Sequence, residues 1–106
     1  MNKVDIFKYT NARAYLRRCR ELQVPPWPLS YSVLSDRIGV NKGLIWAAFN
    51  GKKSFTRKMA DRLPGILQLK KNEVVYLRIV LSLPNIDEKL RISILNKFRP
   101  VKYRKT

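Results

Sequence analysis

Two short apolar-periodic runs lie on either side of Gly39-Val40-Asn41, within the segment LSDRIGVNKGLIWAAFNGKK that runs from Leu34 to Lys53. One continuous helix cannot cross that break, because glycine stops a helix at low cost and the polar residue after it opens another. Two helices joined by a tight turn follow. The interval between Asp36 and Asp61 holds no acidic residue, whereas Lys42, Lys52, Lys53, Arg57 and Lys58 fall inside it. A helix that opens at a polar cap within a cationic stretch is what reading the major groove of duplex DNA requires.

The overall charge points the same way. Among 106 residues, 23 Lys and Arg stand against seven Asp and Glu, giving +16 with no histidine. Self-repulsion of that size works against the compact state and favours a polyanionic partner, and phosphate neutralisation releases counterions from nucleic acid. The single Cys19 excludes an intramolecular disulfide, and without histidine no conventional zinc site is expected. No cofactor is expected. Nor is an enzyme: the seven carboxylates are scattered, and no phosphate-cradling glycine loop or nucleophile motif occurs. Asp87-Glu88 reads as a helix start rather than an acid/base pair. No apolar run approaches a membrane span, and Met1-Asn2-Lys3-Val4-Asp5 lacks the apolar stretch of a signal peptide. A cytoplasmic, nucleoid-associated location and no membrane partner are the expectation.

The length predicts one all-α domain of five to six short helices over residues 1–99, with a basic, loosely ordered tail over 100–106. Residues 6–22 carry apolar positions at helical spacing with Arg13, Arg17, Arg18 and Arg20 on other faces, which predicts one basic amphipathic helix behind Asp5. Pro25-Pro26-Trp27-Pro28 ends it. Ser30 caps a second helix with Val33, Leu34 and Ile38 apolar, and Gly39 closes it. Asn41 opens a third, with Ile45, Ala48 and Phe49 on one face, and Gly51 terminates it. Thr56 starts a fourth, bearing Met59, Ala60, Leu63 and Leu67, which Pro64-Gly65 should end or kink. Asn72 is the expected cap of a fifth, stopped by Pro84. Val74 to Leu83 is β-branched enough for a strand, but the neighbouring spacing favours helix. Asp87 opens a sixth with Leu90, Ile94, Leu95 and Phe98 apolar.

With these elements placed, the segment resembles the helix-turn-helix of phage Cro and cI-like (XRE-type) repressors. The shared features are Leu34 ahead of Ile38-Gly39-Val40, a polar cap, Ile45, Ala48 and Asn50-Gly51-Lys52, followed by Thr56 to Leu63. Eleven residues separate Gly39 from Gly51, the spacing of that family. Over a longer range, Asp5-Ile6-Phe7 to Lys89 is similar to the N-terminal half of an uncharacterised bacterial helix-turn-helix family. Members usually have one more residue in the recognition helix and continue into a C-terminal domain without a counterpart here. The resemblance implies a lambda-repressor-like fold and a transcriptional regulator.

The resemblance also distributes roles. Asn41, Lys42, Gly43 and Leu44, as the first turn of the recognition helix, are expected nearest base edges. Asn41 or Asn50 would pair with adenine, and Lys42 with guanine or phosphate. Gly43 would admit a close backbone, and Leu44 or Ala47 would meet a thymine methyl. Trp46 has three readings: a wedge against sugars or bases, an anchor for a protein partner, or a ring packed on the first helix or the Trp27 loop. Ser30, Tyr31, Ser32, Lys52, Lys53, Arg57 and Lys58 would hold phosphates. The bland reading makes Asn41 a pure cap and the lysines a solvated face. Double-stranded DNA is thus the expected partner, with a homodimer across the last two helices as a further possibility. The alternative is an interaction module that binds an acidic protein through Trp46, Trp27 and the basic faces. RNA fits less well, since no aromatic stacking platform is evident.

Overall fold

Polar side chains bonded to nearby amides decide where most of the helices begin. The computed structural model describes residues 4–24, 27–83 and 86–103. Among them lie six α-helices, two short 3₁₀ turns and no strand. The helices are α1 (Ala12–Glu21), α2 (Tyr31–Ile38), α3 (Lys42–Phe49), α4 (Arg57–Ile66), α5 (Lys71–Ser82) and α6 (Glu88–Asn96). Asn11 Oδ1 accepts from the Ala14 amide at 3.2 Å, Ser30 Oγ from Val33 at 3.1 Å and Thr56 Oγ1 from Met59 at 3.3 Å. Asp87 Oδ2 accepts from Lys89 at 3.1 Å. Each such cap satisfies an amide that the helix itself leaves without an acceptor, and is worth about 1 kcal/mol.

One core runs through all six helices. It takes Leu34 and Ile38 from α2, Ile45 and Ala48 from α3, Met59 and Leu63 from α4, and Tyr76 and Leu77 from α5. Leu16 of α1 and Leu95 of α6 complete it. α5 is the hub, packing on α4, α1, α6 and the 3₁₀ turn Ile6–Lys8, while α2 lies against both α3 and α4.

Several expectations need correction. The helix expected over residues 6–22 is two elements, because Tyr9 is extended and the Asn11 cap starts α1 afresh. Asp5 does cap the first of them, accepting from the Phe7 amide. α4 continues through Pro64 and ends two residues later at Ile66, so the proline removes one intrahelical donor without stopping the helix at that point. The fifth helix starts at Lys71 rather than at an Asn72 cap, since the Glu73 carboxylate reaches back to the Lys70 amide at 2.8 Å. Of the apolar positions named for α2 and the last helix, Val33, Leu90 and Phe98 are exposed.

The expected loose tail is tied down as far as Tyr103. Val101–Tyr103 forms a 3₁₀ turn, the Tyr103 ring stacks 5.5 Å from Phe7, and its hydroxyl bonds to Asp5. Arg99, 2% exposed, donates from Nε to the Tyr76 hydroxyl at 2.9 Å, and that hydroxyl donates to the Tyr9 carbonyl at 2.6 Å. The rest of the tail, with Arg104 and Lys105, and the expected breaks at Pro25-Pro26 and Pro84 lie outside the described residues.

Candidate nucleic-acid interface

The turn between α2 and α3 is held by its own atoms and by one distant arginine. Gly39 adopts φ +83°, and its amide donates to the Ser35 carbonyl at 2.8 Å. An L-residue there would be strained, which is why the turn carries glycine. The Ser35 hydroxyl donates to the Val40 carbonyl. From α4, Arg62 donates to the Ile38 carbonyl at 3.2 Å, so a cation closes the negative end of α2. Asn41 Oδ1 then accepts from the Gly43 amide at 2.7 Å and opens α3.

The far end of α3 closes with a left-handed glycine. Gly51 has φ +75°, the Lys52 amide donates to the Ala47 carbonyl at 2.8 Å, and the Gly51 amide reaches Ala48 at 3.4 Å. Arg13 of α1 reinforces this end. Its Nε donates to the Ala48 carbonyl at 2.7 Å and its terminal nitrogen to the Lys53 carbonyl at 2.8 Å, with the guanidinium 5.4 Å from the Phe55 ring centre. Ile45 and Ala48 are fully buried. Turning Ile45 out to water would cost roughly 1.5–3 kcal/mol, so the roll of α3 about its axis is fixed.

The exposed stripe of α3 is therefore Lys42, Gly43, Trp46 and Asn50. Trp46 leaves 48% of its surface in water. Ser30, Ser32, Asn41, Lys52, Lys53, Arg57 and Lys58 are also exposed. Other expected site residues are placed differently. Ala47 is 9% exposed beneath the returning Lys52-Lys53 backbone, which leaves little surface for a thymine methyl. Leu44 is half-buried against the core. The Asn50 side-chain nitrogen donates one of its two hydrogens to the Trp46 carbonyl at 2.8 Å, which fixes the amide against the end of the helix and leaves its second hydrogen and Oδ1 to other partners. A side chain at Gly43 would place its Cβ 2.9 Å from Asn41 Oδ1, so glycine there makes room for the cap. Arg57 lies 4.0 Å from Asp61, with both side chains largely in water, an arrangement of little energetic consequence.

Arg20 was legible only as part of a basic helix face. Its guanidinium lies 4.8 Å from the Tyr31 ring centre and donates to the Tyr31 hydroxyl at 2.6 Å, setting a cation beside the first turn of α2. The Tyr31 ring meets Phe49 edge-on at 5.8 Å, and Phe49 meets Phe55 at 6.0 Å. This aromatic row links the start of α2 to the loop after α3. Cys19 is buried on the inner face of α1, and burial pushes its thiol pKa up, which makes it an inert part of the core.

Among the described residues, no cluster of His, Cys, Asp or Glu is placed to hold a metal ion, and no helix is long and apolar enough to cross a membrane. No family model, curated protein or solved structure matches the chain.

Proposed function

We propose that this chain is a DNA-binding protein of the XRE type that regulates transcription by laying α3 in the major groove. The observation that carries the reading is the open stripe Lys42–Gly43–Trp46–Asn50. It belongs to a helix whose inner face is locked in the core, and exposed cations follow on the chain at Lys52, Lys53, Arg57 and Lys58. Lys42 donates to guanine or phosphate at the leading end. Asn41 stays a cap first, with its amide nitrogen turned to the duplex. The Arg20–Tyr31 pair and Ser30 take a backbone phosphate at the start of α2, while Lys52, Lys53, Arg57 and Lys58 take others. Trp46 lies against sugars or bases at the centre of the stripe.

Selection from a randomised duplex pool tests this reading. One enriched motif, lost in Lys42→Glu, is the expected result. With about five to eight phosphates neutralised, log affinity falls against log salt with a slope of similar magnitude, and Lys42→Glu lowers that slope by about one. No enrichment together with a flat salt response would overturn the assignment. The exposure of Trp46 favours one second reading, an acidic protein partner anchored on that ring. Under it, Trp46→Ala abolishes partner binding while duplex affinity is absent in wild type and variant alike.

A further inference from the structure

A second cationic feature lies on the side of the molecule where α1 begins. The residues that follow α3, the first turn of α1, the end of α5 and Arg91 of α6 enclose a half-open cavity of about 370 Å³. Arg13, Lys52, Lys53 and Arg91 line it, and no carboxylate does. Its inner wall is apolar, built from the buried Val80 and Leu81 with Phe55 beside them. Like charges gathered around a partly enclosed space with a low-dielectric wall repel one another and concentrate field lines for an anion.

The walls are rigid where they need to be. Arg13 is anchored to the carbonyls of Ala48 and Lys53, so it fixes the loop. Arg91 donates to the Thr10 carbonyl at 3.4 Å, which holds its guanidinium at the rim between α6 and α1. Lys52 and Lys53 are exposed and carry their ammonium groups on flexible stems, able to swing onto a ligand. Asn11 and Ser54 add neutral polar groups. A ligand with two negative charges and several acceptor oxygens satisfies this set of donors better than a single carboxylate does. The volume falls within the range of small-molecule sites, and Phe55 adds an aromatic ring to a mainly polar lining.

We propose that this cavity is a receptor for a phosphate group. The same chemistry is offered by a free nucleotide and by a backbone phosphate of duplex DNA lying past the end of α3. The free-nucleotide source goes beyond the DNA reading and stands without it.

Amide chemical shifts of the full chain, titrated with inorganic phosphate, adenosine monophosphate or a short duplex, separate the outcomes. Lys52→Gln/Lys53→Gln alters only exposed side chains, so it leaves the fold intact, and Arg91→Gln is a second probe. Lys70→Gln/Lys71→Gln removes the same charge at the other end of α5, roughly 15 Å from Val80 at the helical rise. Saturable shifts at Ser54, Phe55 and Arg91 with phosphate or nucleotide support a free ligand. Binding should then weaken about tenfold or more in the cavity variants and stay unchanged in the α5 control. Shifts there with duplex alone, and a salt slope reduced by about two only in Lys52→Gln/Lys53→Gln, support the backbone source. Shifts scattered over the surface, or equal weakening by both double variants, would mean a response to net charge and overturn the site. A chain that binds nucleotide here yet enriches no duplex keeps the cavity and loses the DNA reading.

Discussion

Replacing Arg13 by methionine preserves a flexible side chain of comparable reach while deleting the guanidinium that ties α1 to the end of α3. In the folded chain that group makes a 2.7 Å bond to the Ala48 carbonyl, a 2.8 Å bond to the Lys53 carbonyl and a contact 5.4 Å from the Phe55 ring centre. The first bond is charged and partly buried, and is worth roughly 1.5–3 kcal/mol. The second is open to water and adds about 0.5 kcal/mol, with a similar amount from the ring contact. Methionine offsets about 0.5–1 kcal/mol by resting its thioether on Phe55. The expected net loss is therefore roughly 2–3 kcal/mol, read as a lower urea midpoint at unchanged slope. In a thermal scan the same loss lowers the midpoint by about 4–8 °C per kcal/mol. Arg13→Lys restores the charge without the two-armed geometry and recovers less than half of the loss. An Arg13→Met midpoint within about 0.5 kcal/mol of wild type, or full rescue by lysine, would refute the view that this arginine clamps the helix end.

Other perturbations follow the same logic. Asn41→Ala removes the acceptor of the Gly43 amide and costs about 1 kcal/mol in urea unfolding; Asn41→Ser restores most of it, and equal stability of all three chains would dismiss the cap. Tyr76→Phe deletes the hydroxyl that joins the buried Arg99 to the Tyr9 carbonyl, for an expected loss of about 1–3 kcal/mol in the same assay. Burial raises the pKa of the Cys19 thiol and of the Tyr15 and Tyr76 phenols. The folded state therefore holds those protons more tightly than the unfolded chain does. Stability is full below the ordinary thiol and phenol values, near 8.5 and 10, and falls as pH climbs through them toward the folded values. Urea midpoints across that alkaline range check this; Cys19→Ala flattens the early part of the decline, and a midpoint that rises with pH there contradicts the sign.

Much of the helical layout was legible because a cap is a local object. Ser30, Asn41, Thr56 and Asp87 each accept from an amide two or three residues ahead, so the residue type and the start of an apolar pattern carry the signal together. Gly39 and Gly51 were equally readable, since a left-handed residue at a helix end favours glycine wherever the helix sits. Apolar spacing also located Ile45 and Ala48 on the buried face and left Lys42 and Asn50 on the open one. The break after Lys8 was missed because Asn11 lies inside a run whose apolar spacing continues past it, and the spacing masked the cap.

Long-range partners set the remaining details. Arg13 reaches carbonyls 35 and 40 residues away, and Arg62 one 24 residues away, so nothing in their neighbours marks them as helix-closing groups rather than surface charges. Arg99 reads as one more cation in a basic tail, yet it is buried because Tyr76, 23 residues earlier, offers it a hydroxyl. Ala47 and Trp46 differ by a single step along α3, and the contrast in their exposure depends on the Lys52-Lys53 backbone returning over Ala47, which no local pattern marks. Capping and periodicity act within one or two helical turns and so are written in the chain, whereas burial and cross-chain hydrogen bonds depend on which distant segments the core brings together.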